Sequence, residues 1–151
     1  DIAVGLTGAF LCAQVFGGQM EKQGSGVILN ISSDYGLISP DQRIYRKEGV
    51  PDDRQIIKPV SYPVVKHALI GLTKYLATYW ADKGIRVNTL CPASLYNGQD
   101  EEFVTKISNL IPLGRMSRPD EYVCTILYMI SDAATYMTGS TVVIDGGRTI
   151  W

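Results

Sequence analysis

Tyr62 and Lys66 stand four residues apart in Ser61-Tyr62-Pro63-Val64-Val65-Lys66, at the head of a long apolar stretch. On a helix that spacing puts both side chains on one face, about 6 Å apart at Cβ. The pair suits proton transfer. A phenol free in water gives up its proton only at about pH 10, and a fixed ammonium beside it favours the phenolate form. Such a pair can give a proton to a carbonyl oxygen or take one from an alcohol. The same spacing also arises on ordinary helix faces for packing and solubility, so its meaning rests on the surrounding chain.

The elements that must position the pair can be read in order. Residues 1 to about 20 form an expected helix with hardly any polar face, from Ile2 to Met20, which implies contacts on more than one side. Gly24 and Gly26 mark its exit. Val27-Ile28-Leu29-Asn30-Ile31 is a short apolar run of the kind found in a parallel sheet covered on both faces, with Ser32 and Ser33 at its carboxyl end. In open α/β sheets, ligands bind outside the carboxyl ends of the strands. Residues 34 to 60 are polar and punctuated by Pro40, Pro51 and Pro59, a long loop with room for one helical turn. The Tyr62 helix is expected to run to about Lys83 before Gly84. Pro63 fits only in its first turn, with Ser61 as a candidate cap. Residues 85–90 form a second strand, ending at Cys91-Pro92-Ala93-Ser94. A short helix near 100–110, another from Pro119 to about Ser131, and a third strand over 141–144 complete the chain. The expected sheet is parallel, in the spatial order 27–31, 85–90, 141–144, with helices on both faces.

The 151 residues are enough for one domain with a real core. A net charge of -1 removes a general electrostatic case for nucleic acid or an anionic membrane. No uninterrupted apolar run reaches about 18 residues, and no signal peptide is visible, so a cytoplasmic protein is expected. The chain begins at Asp1 without Met and reads as a fragment. Cys12, Cys91 and Cys124 lie far apart, without metal-ligand spacing. They are expected to be free, buried thiols, and no metal site is expected.

Asn30-Ile31-Ser32-Ser33, Tyr62 with Lys66, Ile85 to Pro92, Pro112-Leu113-Gly114-Arg115 with Pro119-Asp120-Glu121, and Thr138-Gly139-Ser140 leading to Asp145-Gly146-Gly147 occur in one order. In this the chain resembles the catalytic, C-terminal half of the short-chain dehydrogenase/reductase family. The resemblance implies an NAD(P)-binding Rossmann-like α/β fold, here the second half of the doubly wound sheet. It also implies hydride transfer between NAD or NADP and an alcohol/carbonyl pair. Carried over by position, Ser33 would bind the substrate oxygen and Tyr62 would be the proton donor and acceptor. Lys66 would assist Tyr62 and hold the nicotinamide ribose. Pro92, Ala93 and Leu95 would adjoin the cofactor. The family also pairs the first helix and the Tyr62 helix with their copies in a partner subunit, which implies a homodimer or homotetramer with Phe10 and Trp80 on the assembly face.

Three departures stand out. No glycine-rich dinucleotide turn lies within the chain, so the pyrophosphate lacks a helix N-terminus to sit on. Gly5 occupies the position of the family's helix Asn, which supports a proton-relay water. Ser33 and Tyr62 are unusually far apart, which makes residues 37–59 an insertion beside the substrate. Its Arg43, Arg46, Lys47, Arg54 and Lys58 outnumber Asp41, Glu48, Asp52 and Asp53 by one, so a solvated loop is the plainer reading and a sugar-like or anionic substrate the sharper one. His67, Tyr75, Tyr79 and Trp80 are expected in surface, packing or subunit roles. The alternative to an oxidoreductase is a catalytically incomplete oligomerisation or binding module.

Overall fold

Helix α1, Gly8–Gln23, continues from a π-helical turn over Ala3–Thr7. It stops where Gly24 enters the left-handed region at φ 71°, a conformation that costs glycine little. Strand β1, Gly26–Ile31, follows directly. Helix α2, Ser61–Tyr79, carries Tyr62 and Lys66 and ends four residues before the sequence reading placed its stop; Ala81–Lys83 is a separate 3-10 turn before the left-handed Gly84. Strand β2 is Ile85–Pro92, helix α3 Glu101–Ser108, helix α4 Val123–Ile130 and strand β3 Thr141–Ile144. The turn Pro119–Tyr122 that leads into α4 is 3-10 rather than α-helical. The computed structural model describes all of residues 1–151.

The sheet has the expected order β1-β2-β3, with both pairings parallel. Gly26 opposes Ile85 and Ile31 opposes Leu90, while Thr89 opposes Thr141 and Pro92 opposes Ile144. Strand β2 is central and nearly all buried, as a doubly covered strand must be. On one face Ala13 of α1 and Leu76, Ala77 and Trp80 at the end of α2 pack on Ile85 and Val87. On the other face Tyr122 and Met129 pack against Leu90. Trp80 is thus a core residue, 5% exposed, and not part of an outer assembly face.

Buried polar contacts fix how α2 lies on the sheet. Thr73 Oγ1 accepts from Asn30 Nδ2 at 2.8 Å and from Thr89 Oγ1 at 2.6 Å, joining the helix to β1 and β2. Asn88 donates to the Met137 carbonyl and accepts from the Ser140 amide, which ties the approach to β3 against β2. Each of these polar groups would cost free energy if buried alone, so the contacts specify one seating of the helix.

The insertion is more ordered than a loop with a single turn. Three 3-10 turns occur between β1 and α2, at Asp34–Gly36, Gln42–Tyr45 and Asp52–Arg54. Ile44 joins Ile107, Ile111 and Met116 in a small third core under α3. Ser61 does not cap α2. It is the first helical residue, and its hydroxyl donates to the Asp1 carboxylate. Of the three thiols only Cys91 is buried, whereas Cys12 and Cys124 lie on outward helix faces.

Residues Ala3–Gln23 are long and apolar enough, by length and composition, to cross a membrane, a feature missed by the search for an uninterrupted apolar run. The inner stripe, with Ala13 and Gly17 buried, packs along the sheet, while Phe10, Leu11, Val15 and Phe16 face outward. The core helices of soluble proteins pass the same test.

The C-terminal turn, Arg148–Ile150, is tied to the turn after β1 by a buried ion pair. Arg148 Nη1 lies 2.9 Å from Asp34 Oδ2, with both side chains 3% exposed. Breaking such a pair from one side strands a buried charge. Arg148→Met should therefore lower the free energy of unfolding by about 3–5 kcal/mol, read by urea denaturation. Combining it with Asp34→Asn should restore most of the loss. A single variant as stable as the parent would show that the pair does not anchor this end of the fold.

Candidate active site

The carboxyl ends of β1 and β2 open into a cleft of about 430 Å³. Ser33, Tyr62, Lys66, Pro92, Ala93 and Leu95, singled out from sequence, all line it. They come from three separate segments: the turn after β1, the first turns of α2, and the loop after β2.

Ser32 and Ser33 divide the work of the first segment. Ser32 Oγ donates to the Lys66 carbonyl at 2.7 Å, which locks the turn onto α2. The approach is so close that a Cβ on Gly36 would lie 2.4 Å from Ser32 Oγ and 3.0 Å from the Lys66 carbonyl, so only glycine fits there. Ser33 caps the 3-10 turn, with its Oγ accepting from the Tyr35 amide at 3.2 Å. The Ser33 hydroxyl donates to Asp34 Oδ1 at 2.7 Å. In this arrangement its proton is turned toward Asp34, and an acceptor lone pair is left for a ligand.

Tyr62 and Lys66 share one face of α2, as the spacing required. Lys66 Nζ lies 5.5 Å from the centre of the Tyr62 ring and donates to the Ile31 carbonyl at 3.0 Å. Burial pushes the Lys66 ammonium below the ordinary lysine range, and nearby Lys58 pushes it the same way, against the opposing influence of Cys91. A second ammonium, Lys58 Nζ, stands 4.0 Å from the centre of the same ring. Tyr35 meets Tyr62 edge to face at 6.3 Å. Behind it, the Tyr35 and Tyr45 hydroxyls are 3.0 Å apart, and Arg148 Nη2 donates to Tyr35 at 3.3 Å. Burial, reinforced by the bond to Tyr35, holds the Tyr45 phenol far above its usual range, so Tyr45 is a neutral wall and not an acid.

The third segment follows β2. The Ala93 amide donates to the Ile144 carbonyl at 3.0 Å, which continues the sheet's pairing into the cleft wall. Leu95 forms an isolated bridge with Ser117. That bridge uses the Ser94 carbonyl and the Tyr96 amide, and Gln99 Nε2 donates to the Leu95 carbonyl, so the Leu95 amide remains free of these bonds.

Four groups of the site were not singled out as site residues from sequence: Asp34, Tyr35, Lys58 and Arg148. Asp34 had a local signal, being the residue next to Ser33. Arg148 had none, since 114 positions separate it from Asp34. Gly5 lies against the helix that bears the pair, and a Cβ there would meet Val65 Cγ1 at 2.6 Å. Val65 thus fills the space a side chain at position 5 would need. His67 sits on the exposed face of α2, with Nδ1 2.9 Å from the Pro63 carbonyl, outside the cleft.

With this geometry in view, similarity to known proteins can be weighed. The family model described as enoyl-(acyl carrier protein) reductase matches residues 52–149. An uncharacterised oxidoreductase of Thermotoga maritima is 38% identical over 98% of this chain and 57% of its own length. The D-threitol dehydrogenase of Mycolicibacterium smegmatis is 32% identical over 99% of this chain and 53% of its own. Among solved structures, a short-chain dehydrogenase of Leptospira borgpetersenii with bound NAD+ superposes with a TM-score of 0.89 at 36% identity, over 99% of this chain and 55% of that one. A gluconate 5-dehydrogenase of Burkholderia cenocepacia in complex with NADP and tartrate gives 0.82 at 28% identity, over 98% and 54%. The chain therefore spans about half the length of the relatives it matches. From a family match over well more than half the chain, and a shared fold along nearly all of it, the chain belongs to the short-chain dehydrogenase/reductase family.

Proposed function

We propose that this chain carries the catalytic half of an NAD- or NADP-dependent oxidoreductase that interconverts an alcohol and a carbonyl compound. The observation that carries the reading is the convergence of Ser33, Tyr62, Lys66, Pro92, Ala93 and Leu95, from distant parts of the sequence, on one cleft at the carboxyl ends of the strands. The structures with bound NAD+ and with NADP support the cofactor class, and the D-threitol dehydrogenase supports a polyol-like substrate.

The residues present suit the nicotinamide end of such a cofactor. Lys66 offers a cation at the cleft wall, and Pro92, Ala93 and Leu95 offer a flat apolar side with one free amide. Bound there, the nicotinamide would accept or supply the hydride. Everything else falls to the chain. The Tyr62 phenolate takes the proton of the alcohol, and in the reverse direction the Tyr62 phenol gives it to the carbonyl oxygen. Lys66 stabilises the negative charge that develops on the phenol oxygen as its proton leaves. Ser33 can hold the substrate oxygen only as a donor, because the alcohol's single hydroxyl proton passes to Tyr62, and the serine's own proton is held by Asp34. Donating to a carbonyl requires it to turn away from Asp34 first.

The turnover test requires the dinucleotide-binding half, supplied by joining this chain to that half of a relative. In that enzyme Tyr62→Phe should lower kcat by a factor of about 100 or more while cofactor affinity stays nearly unchanged. Lys66→Ala should weaken both, since it removes an electrostatic partner and a ribose contact. Retention of most activity by Tyr62→Phe would refute the acid/base assignment. Absence of turnover in the unmodified enzyme would favour the binding-module alternative.

The 151-residue chain alone should bind NAD(H) and NADP(H) only in the millimolar range, a free energy of about -4 kcal/mol. The glycine-rich pyrophosphate anchor is not among its residues. Calorimetry giving a micromolar constant would show that the binding energy lies elsewhere.

Assembly follows from the outer faces of the helices. Phe10, Leu11, Val15 and Phe16 of α1 and Val64, Tyr75 and Tyr79 of α2 are all exposed. A two-fold partner presenting the same helices would bury roughly 1,500 Å² or more in total. Light scattering at tens of micromolar should report at least a dimer, and Phe10→Glu should dissociate it. A monomeric parent would overturn the claim. Trp80 is unsuited to the test because it lies in the core.

A further inference from the structure

Lys58 is the least explained charge beside the site. It stands outside the Tyr-x-x-x-Lys pair, yet its Nζ, 4.0 Å from the Tyr62 ring centre, is nearer to that ring than Lys66 Nζ at 5.5 Å. Lysines at a surface ordinarily carry their ammonium out to water. Here the half-buried head turns inward, and burial pushes its proton affinity below the usual lysine value.

The placement is built. The Gln42 side chain grips the Lys58 backbone from both sides: Oε1 accepts from the Lys58 amide at 2.9 Å, and Nε2 donates to the Lys58 carbonyl at 3.3 Å. A second glutamine braces the same insertion, Gln55 holding the Lys47 amide and carbonyl at 2.8 and 2.9 Å. The segment before α2 is thereby fixed across 16 residues of sequence, and Pro59 stiffens the step into the helix.

No carboxylate forms an ion pair with this cation, although the charge of Asp34 favours its ammonium form. Neither Lys58 nor Lys66 takes part in any of the ten ion pairs. Arg43, Arg46 and Lys47 of the same insertion do, with Asp41, Asp52 and Asp100. The one acid lining the cleft is Asp34, and its charge is committed to buried Arg148. The cleft therefore presents two ammonium groups and no free carboxylate.

We propose that Lys58 is an anion-recognition residue, and that the alcohol or carbonyl substrate carries a carboxylate or phosphate a few bonds from the reacting carbon. The proposal rests on the oxidoreductase reading for where that carbon lies. The phenol oxygen of Tyr62 stands one ring radius and one bond from the ring centre, so an anion held at Lys58 is only a short span from an oxygen held at Tyr62. Together the two groups form a gauge for chemistry and charge on one small molecule.

The test is a titration of the 151-residue chain followed by amide NMR, with three six-carbon probes: D-glucitol, D-gluconate and D-glucitol 6-phosphate. Shifts should concentrate at the amides of Ser33, Ala93 and Leu95. The anionic probes should bind roughly tenfold or more tightly than D-glucitol, and whichever binds best identifies the carboxylate or the phosphate. Lys58→Gln should erase that advantage while leaving the glucitol constant and the rest of the spectrum unchanged, and Lys58→Arg should keep most of it. Equal binding of all three probes, no binding of any, or a preference that survives Lys58→Gln would overturn the proposal. So would an equal loss for all three, because Lys58 would then only position the Tyr62 ring. Since the titration reads no turnover, its failure is separable from failure of the Tyr62→Phe test.

Discussion

A buried charge pair governs this site. Asp34 sits beside Ser33 at the cleft, where an isolated carboxylate would be costly to bury and would make the cleft acidic. Arg148 removes both difficulties by meeting it at 2.9 Å in a nearly dry setting. Buried pairs of this kind contribute little net stability compared with an apolar replacement, but they are expensive to break. Their effect is on geometry. The pair ties the C-terminal turn to the turn after β1, orients Asp34 so that its other oxygen accepts the Ser33 hydrogen bond, and leaves the charge of the cleft to its two lysines.

Around that centre the fold acts as a set of clamps on one helix. Thr73 holds the middle of α2 to both neighbouring strands, and Ser32 holds its first turns at the Lys66 carbonyl. Gly36 permits the contact because any side chain there would strike Ser32. Tyr62 and Lys66 therefore project from a helix seated at two heights, which fixes their positions relative to the cleft. The insertion adds a third restraint through Gln42, which places a residue the helix itself could not supply.

Much of this was legible in the sequence because it is local or periodic. The strands were visible as apolar runs such as Val27–Ile31, and α2 as a helical pattern with Pro63 confined to its first turn. The site residues were legible because their types and order resemble a family, not because the residues alone dictated a role. What stayed hidden depends on contacts between distant positions. Arg148 reads as an ordinary basic residue after a glycine pair until the sheet brings it under Asp34. Trp80 reads as another aromatic on an apolar helix until the chain turns at Gly84 and folds its ring against α1. Gln42 and Gln55 are unremarkable polar residues in a polar segment, and only their two-sided grip on a distant backbone reveals that the segment is structured. The apolarity of α1 was plain, but sequence alone does not say which stripe meets the sheet and which is left for a partner.

The division of labour along the chain also has a physical reading. No glycine-rich turn leading to a helix N-terminus, the feature that holds a dinucleotide's pyrophosphate, is among these 151 residues. The cleft lined by Ser33, Tyr62 and Lys66 is within them. Binding energy drawn from a remote part of a ligand can be used to orient the part that reacts. An open edge on β1, parallel pairing on only one side of that strand, and outward apolar faces on α1 and α2 all mark surfaces where further structure can be added. The wall of the cleft formed by the insertion is different: its small core of Ile44, Ile107, Ile111 and Met116 is already closed, and its glutamine clamps are already made. The insertion is therefore a wall of the cleft fixed by contacts within this chain.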